Sequence, residues 1–211
     1  EPDDDEEECY KHVLYTLPTW LKSNGMAIIT EPAQGNICHL LHQKCAELIN
    51  DHGDLHIHAP YFNGMRCPLS LANSKFFSHE VRKIVPSPTV ERINRPLNLE
   101  IREVKFGLCM IGYSSPRSIG QDYQVCRIIS PLKKRKGTVS FIGMAADTNE
   151  YTYEFQRRNL QKEELNDLMN LARGDIIKID LEANDLSENA RVRISGMEKL
   201  HPLFMPRIKY S

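Results

Sequence analysis

The densest chemistry in the sequence is a run of four cations, Lys133, Lys134, Arg135 and Lys136, closed by Gly137. Four positive charges on so short a segment neutralise several phosphates and give an affinity that falls with salt. The same run suits a solvated hairpin tip, and it has the composition of a nuclear-import signal. Arg127, Arg191 and Arg193 stand opposite apolar residues in alternating stretches, where they line a groove or form the polar face of an antiparallel sheet. Four tyrosines, Tyr113, Tyr123, Tyr151 and Tyr153, border polar neighbours. Each is a candidate platform for a stacked base, at ~1–3 kcal/mol per base, or a rim residue with a wet hydroxyl. Phe106 and Phe141 share faces with Val104, Leu108 and Val139 and are assigned to the core.

A second set of residues is metal-like. Cys38, His42 and Cys45 recur at i, i+4 and i+7, so one helix face presents all three, and His56, His58 and Cys67 follow. Tetrahedral zinc takes such ligands. Cys45, however, falls within an apolar stripe, and no CxxC pair occurs, so no metal and no cofactor is expected. His56 and His58 beside Asp54 resemble an acid/base pair, yet strand alternation puts both on one exposed face. There is no phosphate-binding loop, no GxSxG, no HExxH and no glycine-rich dinucleotide turn. A non-catalytic chain is expected.

The chain has 211 residues, 41% of them apolar, which suffices for one large or two small cores. Net charge is −1, so polyanion binding must come from local patches. No stretch approaches the ~20 apolar residues that span a bilayer, so no membrane partner is expected. Six cysteines without tight spacing are read as reduced thiols, which places the chain inside the cell; the nucleus is expected rather than the cytoplasm. Residues 1–8 are acidic, the composition of a disordered tail and not of a signal peptide. With no initiator Met, a piece of something longer, or a processed chain, is expected.

Positioning these residues requires two regions. Residues 9–85 are expected as a small α/β or helical domain: a helix from Glu8 to Leu17 broken by Pro18, a strand over Met26 to Thr30, a helix capped by Asn36 and running to Asn50, and a strand from Leu55 to Phe62. A short helix is expected over Ser78 to Ile84. Pro86, Pro88 and Pro96 mark 86–98 as a linker. Residues 99–200 then read as strands over Leu99 to Tyr113, Tyr123 to Ile129 and Thr138 to Ala145, with a hairpin loop at Lys133 to Gly137. Tyr151 to Gln156 is a short extra strand. A helix over Leu160 to Ala172, capped by Asn159, is followed by strands over Asp175 to Glu182 and Ala190 to Met197, joined by a turn at Asp185 to Asn189. A tail of 201–211 carries Leu203, Phe204 and Met205, and Trp20 is expected to be exposed.

The stretch Leu171-Ala-Arg-Gly-Asp-Ile-Ile-Lys-Ile179 and the closing run Arg191 to Leu200 resemble the fourth- and fifth-strand regions of the oligonucleotide/oligosaccharide-binding (OB) domains of replication-protein-A and telomere-end-binding proteins. The fold class so implied is α+β, with a C-terminal five-to-six-stranded OB-like β-barrel whose helix sits between strands 3 and 4. The resemblance covers about half the chain. It implies a groove near the Lys133 to Lys136 hairpin, a single-stranded nucleic acid partner and membership of a larger complex. The alternative is an assembly subunit whose barrel docks a protein.

Overall fold

A computed structural model describes residues 4–71, 76–99, 102–120, 123–181, 186–187 and 190–204. The chain is α+β, with one open sheet and one curled, half-barrel sheet. The first half runs α1 (Asp4–Trp20), β1 (Met26–Pro32), α2 (Gly35–Asp51), β2 (His56–Ala59), α3 (Pro68–Leu71), β3 (Glu80–Lys83), α4 (Pro88–Asn94) and β4 (Glu103–Gly112). β4 is the centre of a four-stranded antiparallel sheet. β1 pairs along one edge, from Met26↔Gly112 to Pro32↔Phe106, while β2 and β3 share the other edge. The β-α-β stretch legible in the sequence is therefore split, with β4 inserted between its two strands. Leu41, Cys45 and Leu48 of α2 pack on Ile57, Cys109 and Ile111, and Leu14 and Leu17 of α1 join them. Each such side chain stabilises by about 1.5–3 kcal/mol when fully buried.

Several expectations change here. The strand expected to open the barrel, Leu99 to Tyr113, contributes β4, which belongs to the first sheet. Its partners lie as far back as Met26, and alternation sets a strand's faces but never its partners. The segment 86–98 accordingly does not separate the two sheets. It contains α4, capped by Ser87, whose Oγ accepts from Val90 N at 3.3 Å. The helix expected at Ser78 to Ile84 is instead strand β3, because its backbone is captured by β4 from Glu80↔Phe106 to Lys83↔Glu103. α2 starts one residue before Asn36, with Gln34 at the N-cap position and no side-chain cap hydrogen bond. Pro18 does not end α1, which continues to Trp20.

The second half runs β5 (Val125–Ile128), β6 (Lys133–Arg135), β7 (Thr138–Ala145), β8 (Glu150–Gln156), α5 (Lys162–Met169), β9 (Ile176–Ile179), β10 (Leu186–Ser187), β11 (Arg191–Ile194) and β12 (Leu200–Phe204). The strand order is β10-β11-β8-β7-β5-β9-β12, with β6 also on β7. All pairings are antiparallel except β8 with β11, which is parallel. The short extra strand of the sequence reading is thus β8, an interior strand bonded on both sides. The helix expected from Leu160 is shorter and begins after Gln161, whose N–H donates to Glu164 Oε2 at 2.7 Å. Asn159 does not cap it; its side chain donates to Ser195 O at 3.2 Å. Of the expected turn at Asp185 to Asn189, only Leu186 and Ser187 are described, and Met205 lies outside the described residues.

Alternation builds the core of the curled sheet. Val139 and Phe141, Tyr153 and Phe155, Ile177 and Ile179, and Val192 and Ile194 all point inward and are essentially inaccessible. Leu168 of α5 packs into the same core. Phe141 and Tyr153 stack at 5.2 Å between ring centroids. Among the described residues, no helix is long and apolar enough to cross a membrane.

Candidate nucleic-acid interface

The polar side of the β7–β8 ladder gathers hydroxyls together with three of the cations expected as site residues. Residues facing away from the core, Thr138 and Ser140 on β7 and Thr152 and Glu154 on β8, form its floor. Lys133 and Arg135 of β6 share one face of that strand and overhang the floor, and Arg191 enters from β11. The result is a groove of about 270 Å³. Lys133, Lys134, Arg135 and Lys136 are all exposed; Lys134 alternates to the other side of the ribbon, and Lys136 begins the two-residue turn into β7. The hairpin expected at 133–137 is therefore mostly strand. Arg191 Nη1 lies 3.9 Å from Glu154 Oε2, a long ion pair that leaves the guanidinium half exposed. Arg193 follows two residues later on the same exposed face of β11.

Four of the sequence candidates are elsewhere. Tyr153 is fully buried, and its hydroxyl donates to Tyr123 O at 2.8 Å. It is a core residue, because it shares strand parity with Phe155. Tyr151 has the same parity; its hydroxyl donates to Asp147 Oδ2 at 2.7 Å, and its ring lies 5.8 Å from that of Tyr123. Burial and the Asp147 carboxylate push the Tyr151 phenol up to about 12. This half-buried pair packs at the far end of β7, roughly 17 Å from the basic turn at ~3.3 Å per residue. Tyr113 belongs to the first half, donating to Pro18 O at 3.2 Å. None of the four is a stacking platform in the groove.

Arg127 is the largest correction. β5 is buried on both faces: Cys126 and Ile128 enter the core of the curled sheet, and Arg127 points into the first half with 2% of its surface accessible. Its Nη2 donates to Glu80 Oε1 at 2.5 Å, its Nη1 donates to Gly174 O at 2.8 Å, and its guanidinium lies 5.3 Å from the Tyr61 ring centroid. Arg82 also pairs with Glu80. Arg127 thus clamps the two halves together and lines no groove.

Cys38, His42 and Cys45 lie on the buried face of α2, and among the described residues no group of three metal-ligating side chains gathers. Two histidines at the junction carry a pH dependence. Burial, with Arg127 and His39 beside it, pushes His42 down to about 4. Burial, with Arg173, Arg127 and Lys105 beside it, does the same to His79. Both folded values lie below the ordinary value of 6.5, so the unfolded chain binds protons first. Their contribution to stability is complete above pH 6.5 and is lost as pH falls toward 4. Urea unfolding is expected to weaken across that window by as much as ~2.7 kcal/mol per pH unit if both sites titrate. The H42Q/H79Q variant should show a correspondingly flatter pH profile.

The groove's hydroxyls went unrecognised at the level of sequence, although the alternation of Thr138 and Ser140 against Val139 and Phe141 placed them outward. The chain matches none of the family models and none of the curated proteins with which it was compared.

Proposed function

We propose that the second half is a barrel of the OB type and binds single-stranded nucleic acid, without catalysis, along the groove over β7 and β8. The observation that carries this reading is the convergence of Lys133, Arg135 and Arg191 over a hydroxyl floor on the second and third principal strands. In OB barrels that face, with the loop between strands 1 and 2, is the oligonucleotide-binding surface. Two features of the sheet support the fold assignment. The helix α5 falls between the third and fourth principal strands, and the third and fifth, β8 and β11, pair in parallel. The one aromatic residue among the described lining, Phe141, is buried in the core and stacked on Tyr153, so contact is to phosphates rather than bases, and sequence preference is weak. The same reading puts the chain in the nucleus, as one subunit of a complex.

Fluorescence anisotropy with labelled single-stranded DNA, single-stranded RNA and duplex tests it. Three phosphate contacts give a log–log salt slope of about −2, or about 20-fold weaker single-strand binding between ~50 and ~200 mM salt. Duplex binding as tight as single-strand binding, or none at low salt, removes the reading.

A second reading, a protein-docking subunit, is favoured by one surface. The face of the first sheet opposite α2 exposes Ile28 at 63%, Met26 at 44% and Val104 at 41%. Trp20, as expected from the sequence, is 69% exposed on the same half. Large apolar side chains left exposed on one sheet face suit a protein contact. A monomer that crosslinks to nothing in extract counts against this reading.

A further inference from the structure

A second cleft, of about 340 Å³, lies where the two halves meet. Its cations come from three elements. Lys83 of β3 and Lys105 of β4 share one face of their ladder, since Val81 pairs with Lys105 and Lys83 with Glu103. Arg173, in the turn after α5, supplies the third. No described carboxylate neutralises Arg173: its Nη1 lies 2.8 Å from His79 Nε2, and its Nε is buried without a hydrogen-bond partner. Burial and Arg173 itself push the His79 imidazole down to about 4, so it faces the guanidinium as a neutral ring and supplies no negative charge. A half-buried guanidinium without an anion is an expensive arrangement, and it is relieved when one binds. Glu103 is the one acid in the lining. The remaining wall is apolar, with Pro131, Leu132 and the 37% exposed Met169.

Cations beside an apolar wall match a group that is anionic at one end and flat and apolar at the other, and the volume lies within the ~300–1,000 Å³ of small-ligand sites. We propose that this cleft binds a nucleoside phosphate, the phosphate on Lys83, Lys105 and Arg173 and the base against Leu132 and Met169. The site does not depend on nucleic acid occupying the barrel groove. The two are nevertheless adjacent: Ser130 and Lys133 line the groove, and Pro131 and Leu132 between them line the cleft. The nucleoside phosphate is therefore either a free nucleotide or the phosphorylated end of a bound strand.

Calorimetric titration of the whole chain with adenosine monophosphate, adenosine, inorganic phosphate, and an oligonucleotide with and without a 5′-phosphate decides this. The monophosphate is expected to bind with Kd at or below about 1 mM, more tightly than adenosine or phosphate. The K83E/K105E variant, altered only at exposed side chains, should bind it about tenfold or more weakly. The L132A variant should weaken the monophosphate and leave phosphate unchanged. K133E/R135E, which disables the groove, should leave the monophosphate titration as in the parent chain, so failure of either site is visible without the other. Tighter binding of the phosphorylated oligonucleotide identifies a strand end as the ligand; equal binding identifies the free nucleotide. No heat with the monophosphate at about 1 mM, unchanged affinity in K83E/K105E, or phosphate binding as tightly as the monophosphate overturns the proposal.

Discussion

Glu80→Gln is expected to lower the free energy of unfolding by about 3–5 kcal/mol, a large fraction of the stability of a chain this size. Glu80 is 2% exposed and is the anion that answers both Arg127 and Arg82. Glutamine keeps the shape and one acceptor oxygen but removes the charge. Arg127, with 3% of its side chain accessible, then retains only uncharged partners, Gly174 O at 2.8 Å, His79 O at 3.4 Å and the Tyr61 ring. A buried guanidinium without its counter-ion bears a desolvation cost that a surface pair never meets. Arg95 and Glu91, 4.0 Å apart with Arg95 83% exposed, make the contrast: Arg95→Ala should change stability by less than about 1 kcal/mol. Urea denaturation of both variants checks the pair. A Glu80→Gln chain as stable as the parent would mean that the junction is held by apolar packing alone. The clamp also explains Gly174, whose φ of +95° suits glycine and where a Cβ would collide with the Glu80 carboxylate.

The K133E/R135E variant is expected to bind single-stranded nucleic acid about 100-fold more weakly, ~2.7 kcal/mol, with its urea midpoint unchanged. Both side chains are exposed on β6 and reach over the groove, so reversing them replaces two attractions with two repulsions and disturbs no packing. The salt slope should collapse with the affinity, since the remaining cation of the groove, Arg191, is shared with Glu154. Anisotropy at low salt reads both quantities. Retained affinity with a flat salt dependence would place any nucleic-acid contact away from this groove.

The elements that the sequence determined are those governed by local periodicity. The inward set Val139, Phe141, Ile177, Ile179, Val192 and Ile194 was legible because strand side chains alternate with period two. So were α2, with its buried stripe, and the exposed cations at 133–136. The helix between the third and fourth principal strands was legible for the same reason, although the strand counted first was the wrong one.

What only the tertiary structure decided is partnership across long sequence separations. Nothing local in Glu103 to Gly112 says that it pairs with Met26 to Pro32 rather than with the barrel, and nothing local in Ser78 to Lys83 resists helix as β4's ladder does. The same holds for the site. Arg127 on an alternating strand reads as a solvent-facing cation, and it becomes a buried clamp because the first half covers the outer face of β5. Tyr153 reads as a surface ring until the curl of the sheet turns its face inward onto Phe141. Charge type and strand parity are properties of a few neighbouring residues; burial is a property of whatever packs on them, and here that comes from far along the chain, 94 residues away in the contact of Arg173 with His79.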